Sequence, residues 1–178
     1  TSLPLAKENL ITVRHQLTMT TGLADNVQPD NDCTSPSCLV YKSDAGTRWA
    51  YHNAPYTLLD KVIESASSAT YNSYFQQKIR DKTGMNGLWI RTGFNNVFFS
   101  NARSMARFGL LMLNKGKWDQ AEILGDTSYL NSQTNTSQAY NPSYGYLTWL
   151  NGKTGYMLPT LQNVFSGPMI PTAPSDMY

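Results

Sequence analysis

A tyrosine and an asparagine two residues apart are the side chains of this sequence best suited to chemistry. Tyr51 and Asn53 lie in the segment 48–56, RWAYHNAPY. Side chains alternate along an extended backbone, so these two would project to one side and His52 to the other. A tyrosine can move a proton when a cation lowers its pKa from about 10, and an asparagine amide offers a substrate one acceptor and two donors. We therefore expect Tyr51 and Asn53 to belong to a site and His52 to be structural.

The segment that carries these two residues leads into a predicted helix. Asn53 is a favourable N-cap, and Pro55 is favourable in the first turn. Apolar residues then recur at helical spacing, which predicts one helix over 54–67. A rigid helix entry can hold a site, but a purely structural role fits the same residues, because an aromatic residue and a cap often precede a helix.

Capping residues and stop signals predict three further short helices. Thr12, Thr70 and Asp126 stand at N-cap positions. The helix after Thr12 would cover 13–19, and the helix after Thr70 would end at Gly84.

The strongest helical periodicity covers residues 100–115, with Ser100 as the predicted cap. Its apolar positions form one stripe, made of Ala102, Met105, Ala106, Gly109, Met112 and Leu113. A stripe of this composition is typical of a face that packs into a core, and we expect it to be buried.

Few strands are predicted. Residues 144–150 alternate as a strand would, and Asn151-Gly152 is a strong hairpin-turn signal. Residues 85–99 and 156–178 are predicted to be irregular. The expected fold class is mainly α with a small β hairpin.

Composition indicates an ordinary folded domain. The chain has 178 residues, of which 40% are apolar and 15% charged, with a net charge of +2. This charge is too small to indicate nucleic acid or an anionic membrane as a partner. No apolar run approaches the roughly 20 residues that span a bilayer. Because residue 1 is Thr and no signal peptide follows, we expect a single domain or a processed fragment over 1–178.

The two cysteines lie in a loop over 24–47 that is rich in turn-forming residues. Four residues separate Cys33 from Cys38, a spacing that makes a local disulfide easy to form. Two free thiols are the alternative, and we favour the disulfide. It would imply an oxidising compartment, so that a periplasmic or secreted location is expected. Two cysteines and two histidines in this order fit no zinc-ligand spacing, and no metal or other cofactor is expected.

Four blocks of the sequence, in this order, resemble the serine β-lactamase-like hydrolases. They are residues 11–23 (ITVRHQLTMTTGL), the Tyr51-x-Asn53 motif, residues 102–112 (ARSMARFGLLM), and Tyr144-Gly145-Tyr146 with Trp149. This group includes class C β-lactamases, D-alanyl-D-alanine carboxypeptidases, other penicillin-binding proteins and related esterases.

The resemblance makes Tyr51-x-Asn53 the second catalytic motif of that family. It implies that the chain is the helical subdomain of a β-lactamase/transpeptidase-like α+β fold, whose N- and C-terminal parts build most of the sheet. The chain would then supply one wall of an active site, and the remainder of the parent fold would be its partner. Trp49 could wall the substrate cleft.

The family's nucleophile is missing from the chain. It is the serine of a Ser-x-x-Lys motif, with the lysine as its base. No serine here is followed three residues later by lysine; Ser104 comes nearest but is followed by Arg107, which cannot act as a base. The resemblance thus implies part of a hydrolase that acts through an acyl-serine on amide or ester bonds, with this chain inactive alone. The alternative is a non-catalytic ligand-binding or sensor domain on the same fold.

Lys153-Thr154-Gly155 spells the family's third motif. In that role Lys153 would be a cation that faces the substrate, a small molecule or peptide-like compound with an acyl group. The alternative is that these residues merely complete the turn after Asn151-Gly152. We favour the turn, because the family's third motif lies on a strand that leads into the C-terminal helix, whereas an irregular tail follows here.

Overall fold

A computed structural model describes residues 4–28 and 30–178. The chain divides into two compact units. The first, called the site unit here, contains the described residues up to Thr57 together with Asn131–Tyr178. The second, called the helical unit, is Leu58–Leu130.

The described residues form short helices and two-stranded sheets. The helices are α1 (Leu5–Glu8), α2 (Val13–Leu17), α3 (Asn53–Thr57), α4 (Leu59–Ser67), α5 (Tyr71–Phe75), α6 (Asp81–Thr83), α7 (Ala102–Leu113) and α8 (Thr127–Thr134). A 3₁₀ turn covers Pro36–Cys38, and a π-helical turn, Gln76–Arg80, joins α5 to α6. The strands are β1 (Gly87–Thr92), β2 (Asn95–Ser100), β3 (Lys117–Trp118), β4 (Ala121–Glu122), β5 (Gly155–Tyr156) and β6 (Phe165–Ser166).

Helix α2 begins where the sequence predicts and ends earlier. Thr12 Oγ1 accepts a hydrogen bond from His15 N, and His15 Nδ1 accepts one from Thr12 N, which completes a reciprocal capping box. Two residues past Leu17, Met19 has a φ of +59°, a left-handed conformation that an α-helix cannot continue.

The single helix predicted over 54–67 is wrong, because the chain forms α3 and α4 instead. The carbonyl of Pro55 accepts a hydrogen bond of 2.8 Å from Gln16 Nε2, which lies outside both helices. Lys61 N then bonds Leu58 O at the start of α4, an i→i−3 bond of the tighter 3₁₀ kind.

Residues 85–99 are not irregular, as the sequence had suggested, but contain the longest hairpin. Strands β1 and β2 pair antiparallel through a two-residue turn in which Gly93 has a φ of +61°. Trp89 and Phe98 pack with α5 on one face, with ring centroids 5.2 Å apart. The residues of the other face are exposed, namely Leu88, Ile90, Val97 and Phe99.

Helix α7 is confirmed, but its cap and its burial differ from the prediction. Asn101, not Ser100, caps it and accepts a hydrogen bond of 2.9 Å from Ser104 N. The apolar stripe is largely exposed: Met105 is 52% and Leu113 72% accessible, and of the stripe only Met112 is buried. The expectation that this stripe faces a core is wrong within the described residues.

The predicted strand over 144–150 is a tight turn closed by an isolated bridge between Tyr144 and Trp149. Gly145 N donates to Thr148 O, and a Cβ on Gly145 would lie 2.0 Å from Gln133 O, so only glycine fits.

The Asn151-Gly152 pair does not make the predicted hairpin. Asn151 instead anchors the tail: its Oδ1 accepts from Ile170 N at 2.9 Å, and its Nδ2 donates to Ile170 O and Pro174 O, each at 3.0 Å. A Cβ on Gly152 would lie 2.2 Å from Ser175 O, which explains why glycine follows Asn151.

The fold class is α+β with small antiparallel sheets, β1–β2, β3–β4 and β5–β6, instead of mainly α with one hairpin. Thr70 and Asp126 cap α5 and α8 as predicted, since each side-chain oxygen accepts a backbone N–H three residues on. Among the described helices, none is long and apolar enough to cross a membrane.

Candidate functional site

The site unit is built around a cluster of aromatic rings, defined here as Trp49, Tyr51, Tyr144 and Trp149. Tyr51 stacks on Trp149 with centroids 5.6 Å apart and planes inclined by 19°. Trp49, only 1% exposed, meets Tyr144 edge-on at 5.5 Å and Trp149 at 5.9 Å. Met19 and Met157 complete the buried cluster, and Tyr56 packs against it. These contacts hold the ring of Tyr51 in one position.

The phenol of Tyr51 is neutral at physiological pH. Burial raises the pKa of Tyr51, and the negative charge of Asp32 raises it further. This is opposite to the lowering that a neighbouring cation would cause. In this environment Tyr51 can donate or relay a proton but cannot act as a base until a cation approaches it.

Asn53 does not act as the predicted N-cap, because α3 already includes it. Its Oδ1 is buried and accepts no hydrogen bond among the described residues. An unsatisfied buried acceptor costs about 1–3 kcal/mol. The amide oxygen is thus available to a donor that these residues do not provide.

Unpaired buried polar atoms concentrate in this one segment. Within the described part of the chain, four of the six such side-chain atoms belong to residues 48–53; they are Arg48 Nη1, Trp49 Nε1, His52 Nδ1 and Asn53 Oδ1, whereas the others are Ser43 Oγ and Trp89 Nε1. Buried polar groups are almost always paired, so this segment is unusual, and Asn53 Oδ1 is the one such atom that belongs to a predicted catalytic residue.

His52 makes a structural contact in the site unit, and the expectation that it has no other role stays a prediction. It is buried, and its Nε2 donates a hydrogen bond of 3.0 Å to the carbonyl of Asn31. Burial lowers the pKa of His52, so the imidazole is neutral at pH 7. This hydrogen bond links His52 to the loop over 24–47.

The predicted disulfide between Cys33 and Cys38 is present, with Cα atoms 5.8 Å apart. Neither cysteine is free. The bridge closes the same loop two residues beyond Asn31.

A buried ion pair fixes the start of the site segment. Arg48 Nη2 donates to Asp25 Oδ1 at 2.7 Å, and Lys42 Nζ lies 3.5 Å from the same oxygen. Arg48 Nε also bonds Gln162 Oε1 at 3.0 Å, and Gln162 Nε2 donates to the carbonyl of Trp49 at 3.2 Å. Sequence reasoning missed Asp25 and Gln162, because nothing in a polar loop or an irregular tail distinguishes them from their neighbours.

Two other predicted site residues lie at separate places in this unit. Trp49 lies inside the aromatic cluster, and the ring that stacks on Tyr51 is Trp149, which the sequence had indicated only as part of a family block. Lys153 is half-buried just before β5, and no hydrogen bond or ion pair among the described residues joins it to Tyr51 or Asn53. The substrate-binding roles of Trp49 and Lys153 stay predictions. The described residues contain no group of three or more His, Cys, Asp or Glu side chains that could hold a metal ion.

Solved structures share this fold. The chain is similar to a candidate β-lactamase from Bacteroides dorei, with a TM-score of 0.64, 17% identity, and coverage of 78% of this chain and 52% of that one. It is similar to an octameric penicillin-binding protein homologue from Pyrococcus abyssi (TM-score 0.57, 16% identity, 81% and 44% coverage). A third is a penicillin-binding protein from Bacillus halodurans (TM-score 0.55, 19% identity, 88% and 62% coverage). The chain thus spans about half the length of these structures.

No curated protein matches the sequence significantly. The sequence profile of the Beta-lactamase family, however, matches residues 3–170, nearly the whole chain. With the shared fold, this match shows that the chain belongs to the β-lactamase family.

Proposed function

We propose that this chain is the part of a serine hydrolase that supplies Tyr51 and Asn53 to an active site, which acts through an acyl-serine intermediate on amide or ester bonds. The observation that carries the proposal is the buried, unpartnered Oδ1 of Asn53 two residues from a phenol that is held by stacking. Membership of the β-lactamase family supports acyl-containing substrates, either small molecules or peptide-like compounds.

Asn53 would bind an ammonium group. Its Oδ1 can accept a hydrogen bond from the lysine of a Ser-x-x-Lys motif, which this sequence lacks, and its amide N–H groups can donate to a substrate carbonyl. A charge-assisted bond of this kind would remove the cost of the unpaired oxygen.

Tyr51 would move the proton. When the serine oxygen attacks the carbonyl carbon, a C–O bond forms and the hydroxyl proton passes to a base. Tyr51 can relay that proton to the nitrogen or oxygen that leaves as the old bond breaks, and water then releases the acyl group. The approach of a lysine ammonium would lower the pKa of Tyr51, which burial and Asp32 now raise, and would prepare it for this exchange.

The remainder of the parent fold would supply the nucleophile and its base. The disulfide supports an oxidising location, which we propose to be the periplasm or the cell exterior. The rival function, a non-catalytic ligand-binding or sensor domain, rests on the absence of Ser-x-x-Lys from residues 1–178. The two differ in whether the natural protein carries that motif upstream.

The test is Tyr51→Phe in the natural protein, assayed with a chromogenic β-lactam and with 4-nitrophenyl butyrate. Loss of the proton relay should lower kcat at least tenfold, since acid–base groups contribute about 10²–10⁴-fold. Tyr56→Phe is the matched control, because Tyr56 packs against the same cluster but lies outside the motif. Unchanged turnover in Tyr51→Phe would remove Tyr51 from the mechanism.

A further inference from the structure

An apolar cavity of about 430 Å³ lies in the site unit, next to the aromatic cluster. Trp149 belongs to both, because its indole stacks on the ring of Tyr51, with centroids 5.6 Å apart, and also lines the cavity. Leu158, another lining residue, directly follows Met157, which packs in the same cluster. The cavity therefore borders the residues that hold the Tyr51 phenol in position.

Hydrogen bonds of Asn151 hold two walls of the cavity in place. Its backbone N donates to the carbonyl of Met177 at 2.9 Å, and its Oδ1 accepts from Ile170 N at 2.9 Å. Asn151 follows Trp149 by two residues, whereas Ile170 and Met177 line the cavity from the tail. Because these bonds fix the two sides relative to each other, the cavity is preformed, as small-molecule sites usually are.

No charged side chain of the described residues lines the cavity. Apart from Asn151, whose amide oxygen and nitrogen are both bonded to the tail, the lining is aliphatic or aromatic. Met169 and Met177 contribute flexible thioethers, which adapt to ligands of irregular shape. A charged group would lose its hydration here and find few partners. The chemistry of the cavity therefore selects a neutral, apolar occupant.

The size of the cavity and its access to solvent suit an acyl chain. A cavity of about 150 Å³ is enough to hold benzene, and ligand sites range from about 300 to 1,000 Å³. Ile170 and Met177 are each 40% exposed and Tyr178 is 49% exposed, so the side formed by the tail faces solvent. Apolar side chains that are exposed together often mark a binding surface.

We propose that this cavity binds the apolar acyl group of the substrate, so that hexanoyl, octanoyl or phenyl-bearing acyl groups are favoured over acetyl. This inference rests on the proposed function, because it assigns the substrate class of the same site. Trp149, which contacts both Tyr51 and the cavity, connects the two. The rival occupant is a side chain from the remainder of the parent fold, which would close the cavity to substrate.

The test measures hydrolysis of 4-nitrophenyl acetate, butyrate, hexanoate and octanoate by the natural protein, corrected for the uncatalysed reaction. Each CH₂ that enters the cavity should raise kcat/KM about threefold to fourfold, the factor that corresponds to moving a CH₂ out of water. Octanoate should therefore exceed acetate by at least about tenfold. If the rival occupant fills the cavity, the four esters should show no such increase.

Met177→Glu adds a charge to the wall of the cavity and should lower the ratio of octanoate to acetate kcat/KM about tenfold, whereas Met177→Leu should keep it. Ile170→Trp, which fills the cavity without adding a charge, should lower the ratio as well. Val164→Glu is the charge-matched control, because Val164 is 58% exposed, belongs to the same unit and does not line the cavity. It should leave the ratio unchanged.

If the esters are hydrolysed but octanoate has no advantage, or the advantage survives both Met177→Glu and Ile170→Trp, the inference is overturned while the proposed function stands. If no ester is hydrolysed, the proposed function is weakened, and the inference is tested by equilibrium dialysis of octanamide and acetamide. Binding of octanamide that exceeds that of acetamide and is lost in Met177→Glu supports the cavity as the apolar site. Equal or undetectable binding of the two amides, or binding that Met177→Glu leaves intact, overturns it.

Discussion

The two units differ in how far their apolar side chains are buried. In the site unit, Trp49, Tyr144, Met19 and Met157 form a closed buried cluster that contacts Tyr51. In the helical unit, one face of the β1–β2 hairpin and most of the α7 stripe are exposed, with Leu88 at 52% and Leu113 at 72% accessibility. Of these surfaces, the sequence analysis predicted only the α7 stripe to face a core.

The difference shows what hydrophobic periodicity can and cannot predict. An apolar stripe predicts that a helix face packs against other residues, but it does not predict which part of the protein those residues belong to. In the site unit the covering residues come from both segments of the chain that form that unit. The chain covers only about half of the solved structures that share this fold.

The largest expected effect is a contrast in stability between the two apolar surfaces. Trp49→Ala would leave a cavity in the aromatic cluster and should lower the free energy of unfolding by about 3–5 kcal/mol. Met105→Ala, on the exposed stripe of α7, should change it by less than about 0.5 kcal/mol. Urea unfolding followed by circular dichroism measures both. Equal losses would show that the α7 stripe is covered in solution.

The next largest difference in stability is expected between two ion pairs that each contain a buried aspartate. Asp25 pairs with Arg48, which is 14% exposed at the side chain, whereas Asp60 of the helical unit pairs with Arg91, which is 45% exposed. Asp25→Asn should cost about 3 kcal/mol, because it leaves a buried cation uncompensated. Asp60→Asn should cost less, about 1 kcal/mol, because water solvates Arg91.

The Asp25 pair also predicts a dependence on pH. Burial alone would raise the pKa of Asp25, but the hydrogen bond and charge of Arg48 outweigh it, so that the pKa is lowered. A lowered folded-state pKa contributes stability that is present above the unfolded pKa of about 3.9 and is lost as the pH falls through the folded value. Unfolding measured from pH 6 to pH 2 should therefore show a smaller acid loss in Asp25→Asn. An unaltered acid profile would contradict the role of the pair.

Two asparagines allow a finer comparison of the units. Asn141 is fully buried, and its Oδ1 accepts from Met157 N at 3.0 Å and Ser143 N at 3.2 Å. Asn72, half-buried, makes two bonds of 2.8 Å with the backbone of Trp89. Asn141→Ala should cost about 2–3 kcal/mol and Asn72→Ala about 1 kcal/mol, because water can replace the partners of the less buried side chain. A reversed order in urea unfolding would contradict this.

A small effect on stability is also expected at the exposed hairpin face. Leu88 and Phe99 pair across β1 and β2. Leu88→Thr with Phe99→Thr should change the unfolding free energy by less than about 1 kcal/mol, since β-branched Thr suits a strand. Self-association of residues 1–178, measured by sedimentation velocity, should decrease because the apolar patch is smaller. Unchanged association would show that this face is not a contact surface.

Local features of the fold could be predicted where chemistry is local. Thr12, Thr70 and Asp126 were recognised as caps because each accepts a backbone N–H within its own helix. The disulfide between Cys33 and Cys38 was also predicted, because the two cysteines are close together in the sequence. The break between α3 and α4 was missed; beside it, the carbonyl of Pro55 accepts a hydrogen bond from Gln16, 39 residues away in the chain, and such a contact is not apparent in the sequence.

At the site too, the features that the sequence did not predict depend on contacts between residues far apart in the chain. The Tyr-x-Asn spacing indicated Tyr51 and Asn53, yet the stacking partner Trp149 became apparent only in the fold. Asn151-Gly152 was predicted as a hairpin turn, and its actual role, anchoring the tail at Ile170, could not be read from the pair itself.

The most direct test of the central claim is covalent labelling of the natural protein with a fluorophosphonate and with a penicillin, followed by peptide mass mapping. We predict an adduct on the serine of a Ser-x-x-Lys motif, none on any serine of residues 1–178, and labelling at least tenfold slower in Tyr51→Phe. An adduct on a serine within residues 1–178, or a labelling rate that Tyr51→Phe leaves unchanged, would contradict the claim that this chain completes an acyl-serine site through Tyr51 and Asn53.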